Sequence, residues 1–227
     1  MIPLLHRALP TTLRVPTSSV VKIVCEPSVG SVIPDLLVGV VHRRPRILAA
    51  NHFTAIEESI LALLEQRGST SEGEIADLLY LPASTCGRSL GMLARVGAVL
   101  RKGDRMWRIS HSAVTCGVEV VAIEAKLRLW RKALAQAQAY RVFANQALVV
   151  LDGNQVQVTE ELRREFSAAS VGLWLQWGRA VQEVIPSVRH NPVSAERFRA
   201  VGKLLRSKAT LRQSAAACNV HPTLECV

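Results

Sequence analysis

The stretch 118–152, "VEVVAIEAKLRLWRKALAQAQAYRVFANQALVVLD", constrains the fold most. It opens with an apolar, β-rich run over 118–123, turns to helical periodicity from about Leu129 to Ala144, and closes on a second short apolar run, "NQALVVLD". Strands buried on both faces read as continuous apolar runs, and a parallel return needs a long connection, usually a helix. This unit is therefore a parallel crossover within a mixed sheet flanked by helices, an α/β (α+β) class of fold.

The flanks supply more strands. "SSVVKIVCEPSVGSVIPDLLVGVV" holds two β-rich runs, 19–25 and 36–41, with a turn containing Pro, Ser and Gly between them, as expected of adjacent strands. On the other side a helix starts at Glu160, strands follow at 171–177 and 180–185 around a turn at Gly178, and "SAERFRAVGKLLRS" is the last helix. The final stretch, 206–227, lacks a pattern and is expected to be a mobile tail.

Between the flanks, 54–111 changes character. "TAIEESILALLEQRG" puts Ile56, Ile60, Leu63 and Leu64 on one helical face, with Thr54 as its cap and Gly68 as its stop. Thr70 and Glu74 bracket a short second helix, Pro82 ends the turn after it, and "ASTCGRSLGMLARVG" is a third helix that closes at Gly97. "AVLRKGDRMWRIS" then alternates around Lys102-Gly103-Asp104, the mark of a hairpin. Three helices followed by a basic-tipped hairpin resemble a winged helix-turn-helix domain. The resemblance implies a third helix that enters the major groove and a wing that meets the backbone. It sets Ser84, Thr85 and Arg88 against bases and Arg101, Lys102 and Arg105 against phosphates. Winged helices also act as protein-interaction or packing modules, which is the competing reading.

Composition narrows the partner. Lys and Arg number 28 against 18 Asp and Glu, a formal charge of +10 that favours an anionic partner, nucleic acid or a membrane surface. Five cysteines with no C-x-x-C pair suggest neither a disulfide framework nor a structural zinc, and fit a reducing compartment. No run of about 18 apolar residues occurs, and "MIPLLHRALPTTLRVP" is broken by prolines, so a cytoplasmic location without membrane association is expected.

The chemistry gathers at "EAK". Residues two apart on a strand share a face, so Glu124 and Lys126 project with Val118, Val120 and Ala122. By itself such a pair reads as a solvated ion pair worth at most about 1 kcal/mol. Three neighbours change that. "VIPDLLV" places Asp35 at the start of a strand, a helix bearing Gln136 and Tyr140 follows the E-x-K, and "FANQALVVLD" supplies the next strand. Together these resemble the PD-(D/E)XK nuclease superfamily, whose restriction-endonuclease-like core is a helix, three strands, a crossover helix and a fourth strand. The Gln136 to Tyr140 spacing looks like the motif that follows the active site in its RecB-type branch.

The resemblance implies a Mg²⁺- or Mn²⁺-dependent DNA endonuclease. Asp35, Glu124 and the carbonyl of Ala125 would hold the cation, with Glu26 as a further ligand, and Lys126 would serve the attacking water or the charged transition state. Gln136, a candidate catalytic residue, and Tyr140 share a helical face and would line the site or pack beside it. His6, in a first helix, would be a surface residue or approach the metal; Trp174 and Trp177 read as packing, and Arg128, Arg131 and Lys132 as a solvated helix face or a track for a phosphate backbone. Asp35 and Glu124 stand 89 positions apart, too far for neighbouring strands, but removing 54–111 leaves 31, with room for a short strand such as "RILAA". The expected organisation is thus a discontinuous core, 1–53 and 112–205, interrupted by a winged helix over 54–111. Duplex DNA is the expected partner, and cutting both strands suggests a homodimer. A DNA-binding regulator on a catalytically inactive nuclease-like scaffold is the alternative.

Overall fold

The structure, a computed structural model, describes residues 19–103 and 105–208 and the backbone of 210–211. Strands β1 (Val20–Cys25) and β2 (Leu36–Val41) form an antiparallel hairpin. The chain then leaves the sheet for a long excursion, which begins with helix α1 (Arg46–Ala50) and helix α2 (Ala55–Arg67). It continues through strand β3 (Ser69–Ser71), helices α3 (Glu72–Leu78) and α4 (Ala83–Arg95), and strands β4 (Val99–Lys102) and β5 (Met106–Ile109). The three short strands make a separate sheet in the order β3-β5-β4.

Strand β6 (Val118–Lys126) returns beside β2, antiparallel, with Val118 opposite Val41. Helix α5 (Trp130–Tyr140) crosses to β7 (Gln146–Asp152), which is parallel to β6, and helix α6 (Glu160–Ala169) crosses to β8 (Gly172–Trp177), parallel again. Strand β9 (Ala180–Ile185) turns back antiparallel; helix α7 (Ala195–Arg206) and β10 (Thr210–Leu211) follow. The sheet is mixed and seven-stranded, in the order β10-β1-β2-β6-β7-β8-β9.

Local chemistry explains the boundaries. Thr54 with Glu57, and Ser71 with Glu74, form reciprocal capping boxes at the starts of α2 and α3, each satisfying two of the orphan amides of a first turn. The second cap is therefore Ser71 and not Thr70, whose side chain is buried in β3 while its backbone pairs with Trp107. "RILAA" is helix α1 and not a strand. Pro45 presets the first turn, the residues are mostly good helix formers, and β2 and β6 already pair with each other, which leaves no vacant position between them. Part of the supposed tail is ordered, since Thr210 and Leu211 pair with Lys22 and Val21 of β1; residues 212–227 lie outside the described residues, as does the segment 1–18 containing His6.

The described crossover helices α5 and α6 and helix α7 pack on one face of the sheet. There Leu37, Val120, Ala122 and Val149 meet Ala137, Phe166 and Leu204 in a cluster that runs on without a break into Ile60, Leu61, Leu64 and Leu90 of the excursion. The excursion thus has its own sheet but shares a core with the rest, and Arg199 on α7 ties it further through Glu58 on α2, at 2.5 Å. Val21, Leu36, Val38, Val121, Ile123, Val150 and Trp174 form a second cluster on the opposite face. Contact between α7 and β2 is close enough to require Gly39: a β-carbon there would stand 2.9 Å from Leu204 Cδ1. Gly39→Ala would overpack this contact at a cost of about 1–3 kcal/mol.

Candidate active site

Register brings the charged residues together. Leu36 pairs with Ile123, so one step beyond the ladder Asp35 comes to lie beside the Glu124–Ala125 backbone, and its Oδ2 accepts a 2.7 Å hydrogen bond from Ala125 N–H. Two residues that are distant in the chain are neighbours across one strand pair. Lys126 projects on the same face as Glu124, and its Nζ lies 2.6 Å from Glu124 Oε1 and 3.6 Å from Asp35 Oδ2. Tyr140, at the end of α5, donates its hydroxyl to Glu124 Oε2 at 2.5 Å, with the carbonyl of Ile33 3.3 Å from the same hydroxyl. Side chains on a helix lean toward its N-terminus, which aims the Tyr140 ring back toward the C-terminal end of β6.

Glu124 is 1% exposed, whereas Asp35 and Lys126 are 21% and 29% exposed. The buried carboxylate is thus covered by a partly open acid and base. Burial works against the Lys126 charge, but Glu124 and then Asp35 outweigh it and hold the ammonium above the usual lysine range. Burial and the Glu124 carboxylate push the Tyr140 phenol well up, so it stays a neutral donor. The Lys126 ammonium, 2.6 Å away, engages Glu124 Oε1 while Tyr140 holds Oε2, so each carboxylate oxygen has one partner and the Oε1 partner is itself partly exposed.

A divalent cation fits part of this set. Mg²⁺ takes one or two protein carboxylates and keeps several waters, and Asp35 with Glu124 Oε1 supplies that number of groups. In an extended strand the amide and carbonyl of one residue point to the same side, so the Ala125 carbonyl shares the edge on which its amide meets Asp35. Glu26 does not join them. It stands opposite Asp35, with Glu26 N–H donating to Asp35 O at 3.0 Å, but its backbone adopts φ +47° and the side chain is exposed. Among the described residues no group of three or more His, Cys, Asp or Glu side chains converges as a metal site.

Gln136 shares the Tyr140 face of α5, yet no hydrogen bond joins it to the carboxylates, and its Oε1 is buried without a hydrogen-bond partner among the described residues. Trp174 is buried, and Trp177 packs where Gly153 leaves room for its indole. Arg131 is engaged by Glu161 at 2.5 Å and lies over the Trp130 ring, as a helix-face residue does. On the excursion, Ser84 and Arg88 are exposed and Thr85 half-buried, in the first two turns of α4. Arg101 and Lys102 at the end of β4 and Arg105 beyond the turn are exposed, and Arg101 and Arg105 line a cavity with Ser71, Glu72, Gly73 and Trp107.

Among the described residues no helix is long and apolar enough to cross a membrane. No protein-family model, no curated protein and no solved structure matches the chain.

Proposed function

We propose that the chain is a divalent-cation-dependent deoxyribonuclease of the PD-(D/E)XK type, with a restriction-endonuclease-like core interrupted by a winged helix that engages duplex DNA. The observation that carries this reading is the meeting of Asp35, Glu124 and Lys126 at one corner of the sheet. An antiparallel meander followed by a parallel crossover, with the acid before the second strand and the E-x-K at the end of the third core strand, supports it. The three helices and three-stranded sheet of the excursion support the winged-helix half.

Asp35, Glu124 and the Ala125 carbonyl would hold Mg²⁺ or Mn²⁺. When bound, such an ion neutralises phosphate charge and acidifies water. Lys126 remains protonated at neutral pH because the two carboxylates favour its charge, so its role is to offset negative charge growing on the phosphate and to orient the attacking water, not to remove a proton. Tyr140 fixes Glu124 through Oε2 and thereby leaves Oε1 toward Lys126 and the open side. Hydrolysis joins the water oxygen to phosphorus and releases the sugar oxygen with a proton. Cutting both strands usually calls for two such corners, which makes a homodimer part of the proposal.

One observation favours the alternative, a DNA-binding regulator on this scaffold: among the described residues only two carboxylates converge, and Lys126 already pairs with one of them. Incubation of supercoiled plasmid with Mg²⁺ or Mn²⁺ separates the readings. Relaxation or linearisation by the wild-type chain is expected, with losses of at least about 10²–10³-fold in Lys126→Ala, Asp35→Ala and Glu124→Gln. Tight DNA binding with intact plasmid would favour the regulator, and undiminished cutting by the variants would remove the assignment of these residues.

A further inference from the structure

At the other end of β2 from Asp35, the chain runs "HRRPR" into α1. The backbone there is pinned by the returning segment: His42 N–H and Arg43 N–H both donate to Gly117 O at 3.0 Å, and Ile47 N–H donates to Ser112 O at 3.2 Å. Gly117 is needed for this approach, because a β-carbon would run into the Arg43 carbonyl. Between the outgoing and returning segments lies a cavity of about 390 Å³ lined by Arg43, Arg44, Arg46, His111, Ser112 and Gly117.

Some described arginines are partnered within the chain, as Arg131 is by Glu161, Arg189 by Glu119 and Arg199 by Glu58, while others, such as Arg67, Arg95, Arg163 and Arg164, are exposed without a side-chain partner among the described residues; what sets 43–46 apart is that three such guanidiniums line one cavity. Arg43, Arg44 and Arg46 are exposed, and none makes an ion pair or side-chain hydrogen bond among the described residues. A nearby acid is already committed, since Glu119 takes Arg189 at 2.5 Å and Gln146 at 2.7 Å and faces His42 at 3.8 Å. Three guanidinium groups therefore crowd one concavity with no protein anion to offset their repulsion.

We infer that this cavity is a second anion site, which grips the phosphodiester backbone of a nucleic acid apart from the carboxylate corner. Guanidinium forks match phosphate oxygens bidentately, and three of them on a fixed backbone suit successive phosphates better than one small ion. Charged and polar side chains dominate the lining, and its apolar members, Pro45 and Val114, lack the bulk with which a membrane-surface element inserts. Six residues of strand separate the cavity from Asp35, on the order of 20 Å. The site holds nucleic acid and does no chemistry, so it stands or falls independently of cleavage.

The test is fluorescence anisotropy of a labelled DNA duplex over a salt series, with EDTA present so that cutting plays no part. For Arg43→Gln/Arg44→Gln/Arg46→Gln the slope of log affinity against log salt should shrink by about 2–3 units, near 0.9 for each phosphate that is no longer neutralised. Single Arg44→Gln should lower it by about one unit, and Arg163→Gln/Arg164→Gln on α6 should change the slope less than the triple variant does. An unchanged slope in a triple variant whose circular dichroism and melting match the wild type overturns the site. An equal reduction in the Arg163/Arg164 control also overturns it, reducing the effect to net charge. Two further arms identify the source of the anion: binding of inorganic phosphate, or of phosphatidylserine vesicles, that depends on the three arginines while duplex binding does not, overturns the nucleic-acid assignment. An uncut plasmid leaves this result standing, and an unchanged slope here leaves the carboxylate proposal standing.

Discussion

At the Val118 end of β6 sits a buried guanidinium, Arg197; near the Lys126 end sits a buried carboxylate, Glu124. Arg197 reaches Thr115 Oγ1, Phe143 O, Asn145 Oδ1 and Val118 O at 2.9–3.1 Å, so that its nitrogens are spent on fixed acceptors. Thr115 is itself held by Glu65, and Asn145 by His190 O and Asn191. The result is a knot that joins α7, β6 and two connecting loops. Glu124 has one oxygen tied to Tyr140 and the other 2.6 Å from the ammonium of Lys126, which is itself partly exposed. Both charges are equally hidden from water. Their partners separate them: Arg197 is held by buried backbone carbonyls and short polar side chains, whereas Glu124 is held in part by a lysine that reaches solvent.

Substitution can break that contrast. Removing Arg197 strands several buried acceptors at about 1–3 kcal/mol each, so Arg197→Ala should lose about 3–5 kcal/mol in urea unfolding, read as a shift in midpoint at constant m-value. Glu124→Gln, by contrast, should stay within about 1 kcal/mol of the wild type while abolishing any cleavage. Equal destabilisation by the two would make Glu124 as structural as Arg197.

The Glu58–Arg199 pair lies between these extremes. Burial pushes the Glu58 carboxyl above its ordinary range, against the opposing pull of Arg199. A carboxyl raised in this way binds its proton more tightly folded than unfolded, so its ionisation costs stability as pH rises from the ordinary value near 4.5 through the raised one. Arg199→Ala removes the opposing pull and widens the gap. Its deficit should be about 3 kcal/mol at pH 7 and should shrink as pH falls toward 4, as urea titrations at the two pH values will show. A deficit independent of pH would mean that packing, not charge, joins α2 to α7. Smallest in its effect on any cleavage is Tyr140→Phe, which deletes one hydrogen bond to a charged acceptor: about 1.5 kcal/mol in thermal or urea unfolding, with activity weakened but not abolished. A larger activity loss than that of Lys126→Ala would give Tyr140 a direct role in the chemistry.

Much of the scaffold was legible in sequence. Fully buried strands such as β2 and β7 announce themselves as unbroken apolar runs, and the two-residue period of β6 is enough to put Glu124 and Lys126 on one side. The pairing of Asp35 with the Ala125 amide follows once 54–111 is set aside. Other features depend on tertiary context. A left-handed backbone at Glu26 has no local signature in a residue that rarely adopts it. "RILAA" suits a helix or a buried strand until the pairing of β2 with β6 decides between them. The four hydrogen bonds of Arg197 draw on Thr115, Val118, Phe143 and Asn145, which no spacing rule connects. The signal for Tyr140 was its four-residue spacing from Gln136, and only the phenol reaches the carboxylate. "HRRPR" stands out in the chain as a charge run, but nothing local to it shows that its arginines lack internal partners.

Val41 and Val118 occupy the same rung of the main sheet, so the chain departs and returns at a single point. Topologically, the excursion is dispensable, and a tight turn there would leave an ordinary hairpin. Energetically it is not, because α7 keeps one flank against α2 and excision would expose that greasy flank to water. Transplanting either half into another scaffold would therefore succeed only if α7 were resurfaced or carried along, which makes this helix the practical unit of exchange.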